Sequence, residues 1–240
     1  MSFRNKLKAR LMSLRWRIAE WMSGFLAGSL PSVAGTLARF EVINRVIDSI
    51  GAKTYLEIGV NTPKQPGYSR DKIKAEVVHG VDPNPNSAAD YIMTSDLFFS
   101  SHCSIYYDVV FIDGLHLFEQ AYKDILNGLE NLREGGVVIV HDTRPDSRIT
   151  QTRNHGKANK WHGDVWKAIL LLRLTHPALN VFTVDTDEGC TIISKGTGNP
   201  PPLNAHENIF SWRFYARNYK EVLNLVSVDE FMIKFPLQIH

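Results

Sequence analysis

Short apolar runs alternate along this chain with segments of helical period. Tyr55-Leu-Glu-Ile-Gly-Val-Asn61 is apolar without alternation, as expected of a strand buried on both faces in a helix-covered parallel sheet. His79-Gly-Val-Asp-Pro83 reads as a second strand, and Tyr91 to Phe99 as a short third one leading to a polar turn at Thr94-Ser95-Asp96. Tyr107 to Ile112 is a fourth buried strand. Apolar residues at Ala121, Ile125, Leu129 and Leu132 predict a helix over about 117–132, closed by Gly135-Gly136, before a fifth strand at Val137–Val140. A helix through Val165, Trp166, Ile169 and Leu172 stops before Pro177, with Asp164 as its N-cap and Trp166 in the core. Val181–Asp185 and Thr191–Ser194 form a hairpin across Glu188-Gly189. Further helices are expected from about Thr36 to Ile50 and from Trp212 to Val226, and Ser227-Val-Asp-Glu230 is a capping-box pattern.

Several strands end in an acid. Glu57 sits beside Gly59, where the backbone can turn sharply and pass close to a ligand. Asp82 follows at the distance at which a doubly wound nucleotide fold grips a ribose. Asp113 ends the fourth strand and Asp142 follows the fifth. If these strands are parallel neighbours, about 4.8 Å apart, both carboxylates converge on the edge where open α/β sheets bind ligands. The glycine fingerprint of a dinucleotide site, G-x-G-x-x-G, is absent after the first strand, where Asn61-Thr-Pro-Lys-Gln-Pro-Gly67 is turn-rich. That absence favours a cofactor without a pyrophosphate, such as S-adenosylmethionine, over a nicotinamide. In a nucleotide cleft the Thr94–Asp96 turn would meet the adenine; alternatively Ser95 or Asp96 caps a helix.

Composition narrows the setting. With 240 residues, 44% of them hydrophobic, the chain can bury a full core in one domain, and a net charge of +2 does not indicate a nucleic-acid-binding surface. Cys103 and Cys190 are far apart and lack C-x-x-C spacing, which argues against a disulfide framework or zinc site and suits a reducing cytoplasm. Residues 1–30 put Arg4, Lys6, Lys8, Arg10, Arg15 and Arg17 opposite Leu7, Leu11, Leu14, Ile18, Trp21 and Phe25. This predicts a basic amphipathic helix, suited to the inner face of a membrane, to the body of the protein or to another subunit; a mitochondrial targeting segment has the same pattern. Residues 31–198 form the main domain and 199–240 a helical extension covering the sheet or making a dimer face.

The chain resembles the class I S-adenosylmethionine-dependent methyltransferases. The resemblance is carried by Leu56-Glu-Ile-Gly59, His79-Gly-Val-Asp-Pro83, Met93-Thr-Ser-Asp96, Phe111-Ile-Asp-Gly-Leu-His116, Gly136-Val-Val-Ile-Val-His-Asp142, Gly163-Asp-Val-Trp-Lys167 and Val184-Asp-Thr-Asp187 with Gly189-Cys190. It is similar in particular to the branch associated with glycan and sugar O-methylation, over about residues 36–195. The resemblance implies a Rossmann-like α/β fold: a seven-stranded, mostly parallel sheet with an antiparallel last strand and helices on both faces. It also implies that Glu57 and Gly59 line the methionine end of the cofactor, Asp82 the ribose, and Thr94, Ser95 and Asp96 the adenine. The sequence departs from the family where the glycine-rich loop is reduced to Gly59 followed by Val60, Asn61 and Thr62.

Methyl transfer to oxygen needs an aligned hydroxyl and a way to remove its proton. Alignment contributes on the order of 7 to 11 kcal/mol. His116 is the candidate general base, three residues beyond Asp113. Asp113 and Asp142 are candidate ligands of Mg²⁺, whose oxygen preference and retained waters leave room for a sugar hydroxyl. Alternatively Asp113 contacts the cofactor or caps the next helix, and His116 is a histidine at the pocket rim. His141 adjoins Asp142, and alternation along a strand would send the two side chains to opposite faces, so His141 is expected to be structural. Residues 143–162 lack an apolar period and carry Arg144, Arg148, Arg153, His155, Lys157 and Lys160 against one acid, Asp146. They are either a basic lid favouring an anionic acceptor or a solvated loop. A sugar oxidoreductase using NAD and a non-catalytic binding protein on a methyltransferase fold are the competing readings.

Overall fold

The computed structural model describes residues 29–65, 68–154, 160–198, 200–201 and 208–238; the amphipathic segment expected at the N-terminus lies outside them up to Gly28. Seven strands form one sheet: β1 (Thr54–Ile58), β2 (Val77–Val81), β3 (Tyr107–Ile112), β4 (Leu132–Val140), β5 (Leu179–Val184), β6 (Cys190–Lys195) and β7 (Leu225–Val226). Their spatial order is β2-β1-β3-β4-β6-β5-β7. All neighbours run parallel except β6, which is antiparallel to both β4 and β5. The helices are α1 (Arg39–Ile50), α2 (Ser95–Ser101), α3 (Phe118–Glu130), α4 (Trp166–Thr175), α5 (Trp212–Leu223) and α6 (Val228–Lys234).

Residue alternation along the buried strands builds two cores. Leu56, Ile58, Val110, Ile112, Val138 and Val140 face α3, α4 and α5, where Ile125, Trp166, Ile169 and Trp212 are buried. Tyr55, Val109, Phe111, Val137 and Ile139 face the other way, against Val42, Ile43, Val46 and Ile47 of α1 and Phe231 of α6. Every residue of β1 is buried, as a central parallel strand covered on both faces requires. Each buried aliphatic side chain of this kind stabilises the fold by roughly 1.5 to 3 kcal/mol.

Four local expectations are corrected. The segment from Tyr91 makes only an isolated bridge to Val81, and Ser95–Ser101 is a helix whose N-cap is Thr94, accepting from the Leu97 amide at 3.3 Å. A hydroxyl that can accept from the first helical turn favours helix over strand at that point. The sheet still has seven strands because β7, expected as the end of a helix, pairs with β5; Asn224 takes the left-handed conformation (φ 47°), ends α5 and releases the chain. Gly135-Gly136 does not close a helix but lies inside β4, whose register against β3 shifts there. Asp164 does not cap its own helix. It accepts from the Phe118 amide at 2.8 Å, at the start of α3, and pairs with Arg153 and Lys167.

Candidate active site

β1 and β3 are parallel neighbours, as are β3 and β4, so the chain after each strand emerges at one edge. A cavity of about 620 Å³ opens there. It is lined by Glu57, Gly59, Asp82, Thr94, Ser95, Asp96, Asp113, His116 and Asp142, all the site residues expected from the sequence. Gly59 has φ +89°, and a Cβ at this position would lie 2.2 Å from the Asp113 carbonyl oxygen, so only glycine lets the chain after β1 pass this close to the chain after β3. Asp82 accepts the Asn61 amide at 3.0 Å and the Asn84 amide at 2.8 Å, which holds its carboxylate at the rim. Glu57 is buried and its Oε2 has no hydrogen-bond partner. Burial, with the Asp113 charge nearby, pushes its carboxyl up to about 8.

Asp113 accepts from Arg39 Nη1 at 2.6 Å and lies 3.3 Å from both His116 Nε2 and His141 Nδ1. Asp142 lies 3.4 Å from the same two nitrogens. His141 and Asp142 therefore share one centre, contrary to the expected alternation. The strand ends at Val140, and Asp142 takes the left-handed conformation (φ 56°), which turns its side chain to the side of its neighbour. Asp113, His141 and Asp142 offer ligand atoms within 4.8 Å of one another. Two carboxylate oxygens and an imidazole nitrogen fit a divalent cation, and the imidazole admits transition metals beside Mg²⁺.

The second carboxylate-facing ring is His116. Its Nδ1 donates to the Trp161 carbonyl at 3.0 Å and its ring stacks on the Trp161 indole at a centroid distance of 4.9 Å. That leaves Nε2 toward the acids and the cavity. Burial opposes a charge on His116, but its hydrogen bond to Asp113 and the charges of Asp142 and Asp113 outweigh it and raise the imidazole above its usual range. The same contest, decided by Asp142 and Asp113, raises His141 well above that range. Burial alone would raise Asp113; His141, His116 and Arg39 hold it well below the usual carboxylate range.

Several contributors carried no local signal. Arg39 opens α1 and Trp161 comes from the 143–162 loop, while Gln120 and Asp124 on α3 reach the wall formed by Thr94, Ser95 and Asp96. Gln120 Nε2 bonds Ser95, Asp96 and Asp124, and burial pushes Asp124 up to about 6. Asp187 belonged to a recognised motif, yet its place 3.5 Å from His141 Nε2 depends on the positive φ of the β5–β6 turn. Three described cations of the 143–162 loop are paired with acids: buried Arg144 with Asp185 at 2.9 Å, half-buried Arg153 with Asp164 and Glu119, and exposed Lys160 with Glu188.

A protein-family model described as "Methyltransferase domain" matches residues 66–143. No match was found among curated proteins. Similar solved structures include an O-methyltransferase from Bacillus cereus in complex with SAH, 14% identical, covering 69% of this chain and 84% of that one at a TM-score of 0.46. Another is the O-methyltransferase TomG from Streptomyces achromogenes in complex with SAM, 13% identical, covering 76% and 97% at 0.47. A third is the MycE methyltransferase from the mycinamycin biosynthetic pathway with Mg, SAH and mycinamycin VI, 15% identical, covering 71% and 52% at 0.44. The matched residues 66–143 supply the cavity wall from Asp82 to Asp124 and its continuation to Asp142.

Proposed function

We propose that the protein is an S-adenosylmethionine-dependent O-methyltransferase acting on a hydroxyl of a sugar, glycan or similar small polar acceptor. The observation that carries this reading is the meeting of Asp113, His116 and Asp142 in one cavity with an unpartnered, buried Glu57 oxygen. The cofactor fits that cavity chemically: Glu57 suits its ammonium, Asp82 its ribose hydroxyls, and Thr94 to Asp96 with Gln120 its adenine edge. Its sulfonium supplies an electrophilic methyl group, so the protein's task is to align a hydroxyl and accept its proton.

His116 is the proton acceptor in this reading. With Nδ1–H fixed on the Trp161 carbonyl, only Nε2 can take a proton from the cavity side. Asp113 and Asp142 hold the ring's proton in the free protein, and a cation held by these carboxylates would leave Nε2 able to accept one. Asp113, His141 and Asp142 would hold such a cation, which would supply Lewis acidity to the acceptor oxygen.

Calorimetric titration with S-adenosylhomocysteine and with NAD tests the cofactor, followed by transfer of a labelled methyl group to a panel of sugars, nucleotide sugars and oligosaccharides. Binding of the adenosyl ligand alone, with transfer abolished in His116→Ala and homocysteine-ligand affinity retained, is expected. Binding of NAD alone, or of neither, would overturn the reading.

A further inference from the structure

We infer that Arg39 is a cofactor-binding residue, forming with Glu57 a clamp of opposite charges for the amino-acid tail of S-adenosylmethionine: Glu57 takes the ammonium and the Arg39 guanidinium the carboxylate. The inference rests on the proposed use of that cofactor. A tail of this kind carries both charges, and a buried site must answer both. Among the described residues lining the cavity, the cationic side chains are Arg39 and His116, and the His116 ring is engaged by two acids and the Trp161 carbonyl.

The reduced glycine loop makes such a partner necessary. Its backbone amides are engaged within the protein: Gly59 donates to the Val81 carbonyl at 2.8 Å, Asn61 to Asp82 at 3.0 Å and Thr62 to the Asn61 side chain at 2.8 Å. The loop that would otherwise receive a carboxylate on its amides therefore has few to offer.

Arg39 is held in place for the role. The segment before α1 is tied to the turn after β5: Gly35 donates to the Asp185 carbonyl at 2.7 Å, the Thr186 hydroxyl donates to the Leu37 carbonyl at 2.6 Å, and the Arg39 amide donates to Asp187. A Cβ at Gly35 would approach Val228, Asp185 and Thr186 to within 3 Å, so this strap runs close against the body. The guanidinium uses Nη1 on Asp113 and Nε on Asp187, and Nη2 has no hydrogen bond among the described residues. A guanidinium has five N–H donors in a rigid fork, so two carboxylates can orient it while one edge stays available for a third. Its charge already acts on the Glu57 carboxyl.

The test uses two ligands that differ only in the tail. The whole protein, Arg39→Gln and Arg39→Lys are titrated calorimetrically with S-adenosylhomocysteine and with 5′-methylthioadenosine, which keeps the nucleoside and lacks the amino acid. Arg39→Gln is expected to weaken S-adenosylhomocysteine binding roughly 10- to 100-fold, the loss of one charge-assisted contact. Methylthioadenosine binding stays unchanged, and Arg39→Lys recovers part of the loss. Equal affinity of Arg39→Gln and the parent for S-adenosylhomocysteine would overturn the inference. So would a parallel loss of both ligands in both variants, which marks a purely structural arginine. If the parent binds neither nucleoside, the cofactor reading itself has failed and this inference falls with it.

Discussion

Asp142 shapes the site through its backbone as much as through its charge. A residue one position past a strand would ordinarily face away from its predecessor. The positive φ of Asp142 instead lets Asp113 and Asp142 approach the same nitrogen of His141, Nδ1, at 3.3 and 3.4 Å. Glu57 shows the complementary effect, since its neighbours change its chemistry without moving it. With its carboxyl near 8, it is largely protonated at neutral pH in the free protein. A ligand ammonium favours the ionised form, so S-adenosylhomocysteine binding at pH 7 should release close to one proton. Calorimetry in buffers of different ionisation enthalpy measures this. The affinity should rise as the pH is raised toward about 8, and Glu57→Gln should bind more weakly with that pH dependence gone. The same shift makes the native state hold the proton more tightly than the unfolded chain. Glu57 therefore subtracts stability progressively as pH rises from the usual carboxyl range through about 8.

At the scale of elements, the loop between β4 and α4 is a structural part of the site. His162 is buried beside Glu188 at 2.8 Å, Gln151 accepts from the Trp166 indole at 2.9 Å, and Trp161 covers His116. Its lack of apolar period goes with polar contacts at its described residues, which hydropathy does not reveal. Gly163 joins this loop to α3: its φ is +59°, and a Cβ would fall 1.7 Å from the His116 carbonyl. Gly163→Ala should therefore displace Trp161 from His116 and cost about 2 kcal/mol or more. Thermal melting would show the loss, and methyl transfer should fall further than cofactor affinity. An unchanged melting temperature would mean that the loop does not lean on α3 as the structure indicates.

At the scale of the molecule, the C-terminal segment completes the sheet and both cores. β7 pairs with β5, Trp212 and Tyr215 pack with Trp166, and Phe231 is buried against the α1 face. Deleting residues 209–238 would remove Trp212, Tyr215 and Phe231 and uncover Trp166 and the α1 face they pack against. The expected result is a chain without a cooperative thermal transition, measured by far- and near-ultraviolet circular dichroism, because each lost aromatic removes about 3 to 5 kcal/mol from a fold of ordinary marginal stability. A truncated protein that melts cooperatively would show that the sheet stands without its seventh strand.

The central buried strands, the acids that end them and the edge at which the cavity opens were legible in the chain alone, because burial on two faces leaves unbroken apolar runs and parallel strands all point their carboxyl ends the same way. Glu57, Asp82, Asp113, His116 and Asp142 could be nominated on that basis, and the structure brings them to one cavity. What the sequence could not show depends on groups distant along the chain or on a single backbone angle. Arg39 meets Asp113 across 74 positions, and His141 joins Asp142 only because of one positive φ. The strand expected near Tyr91 was replaced in the count by one near Leu225. Periodicity reports which side of an element seeks cover, but it carries no information on which distant partner provides it; that was decided by the packing of the whole chain.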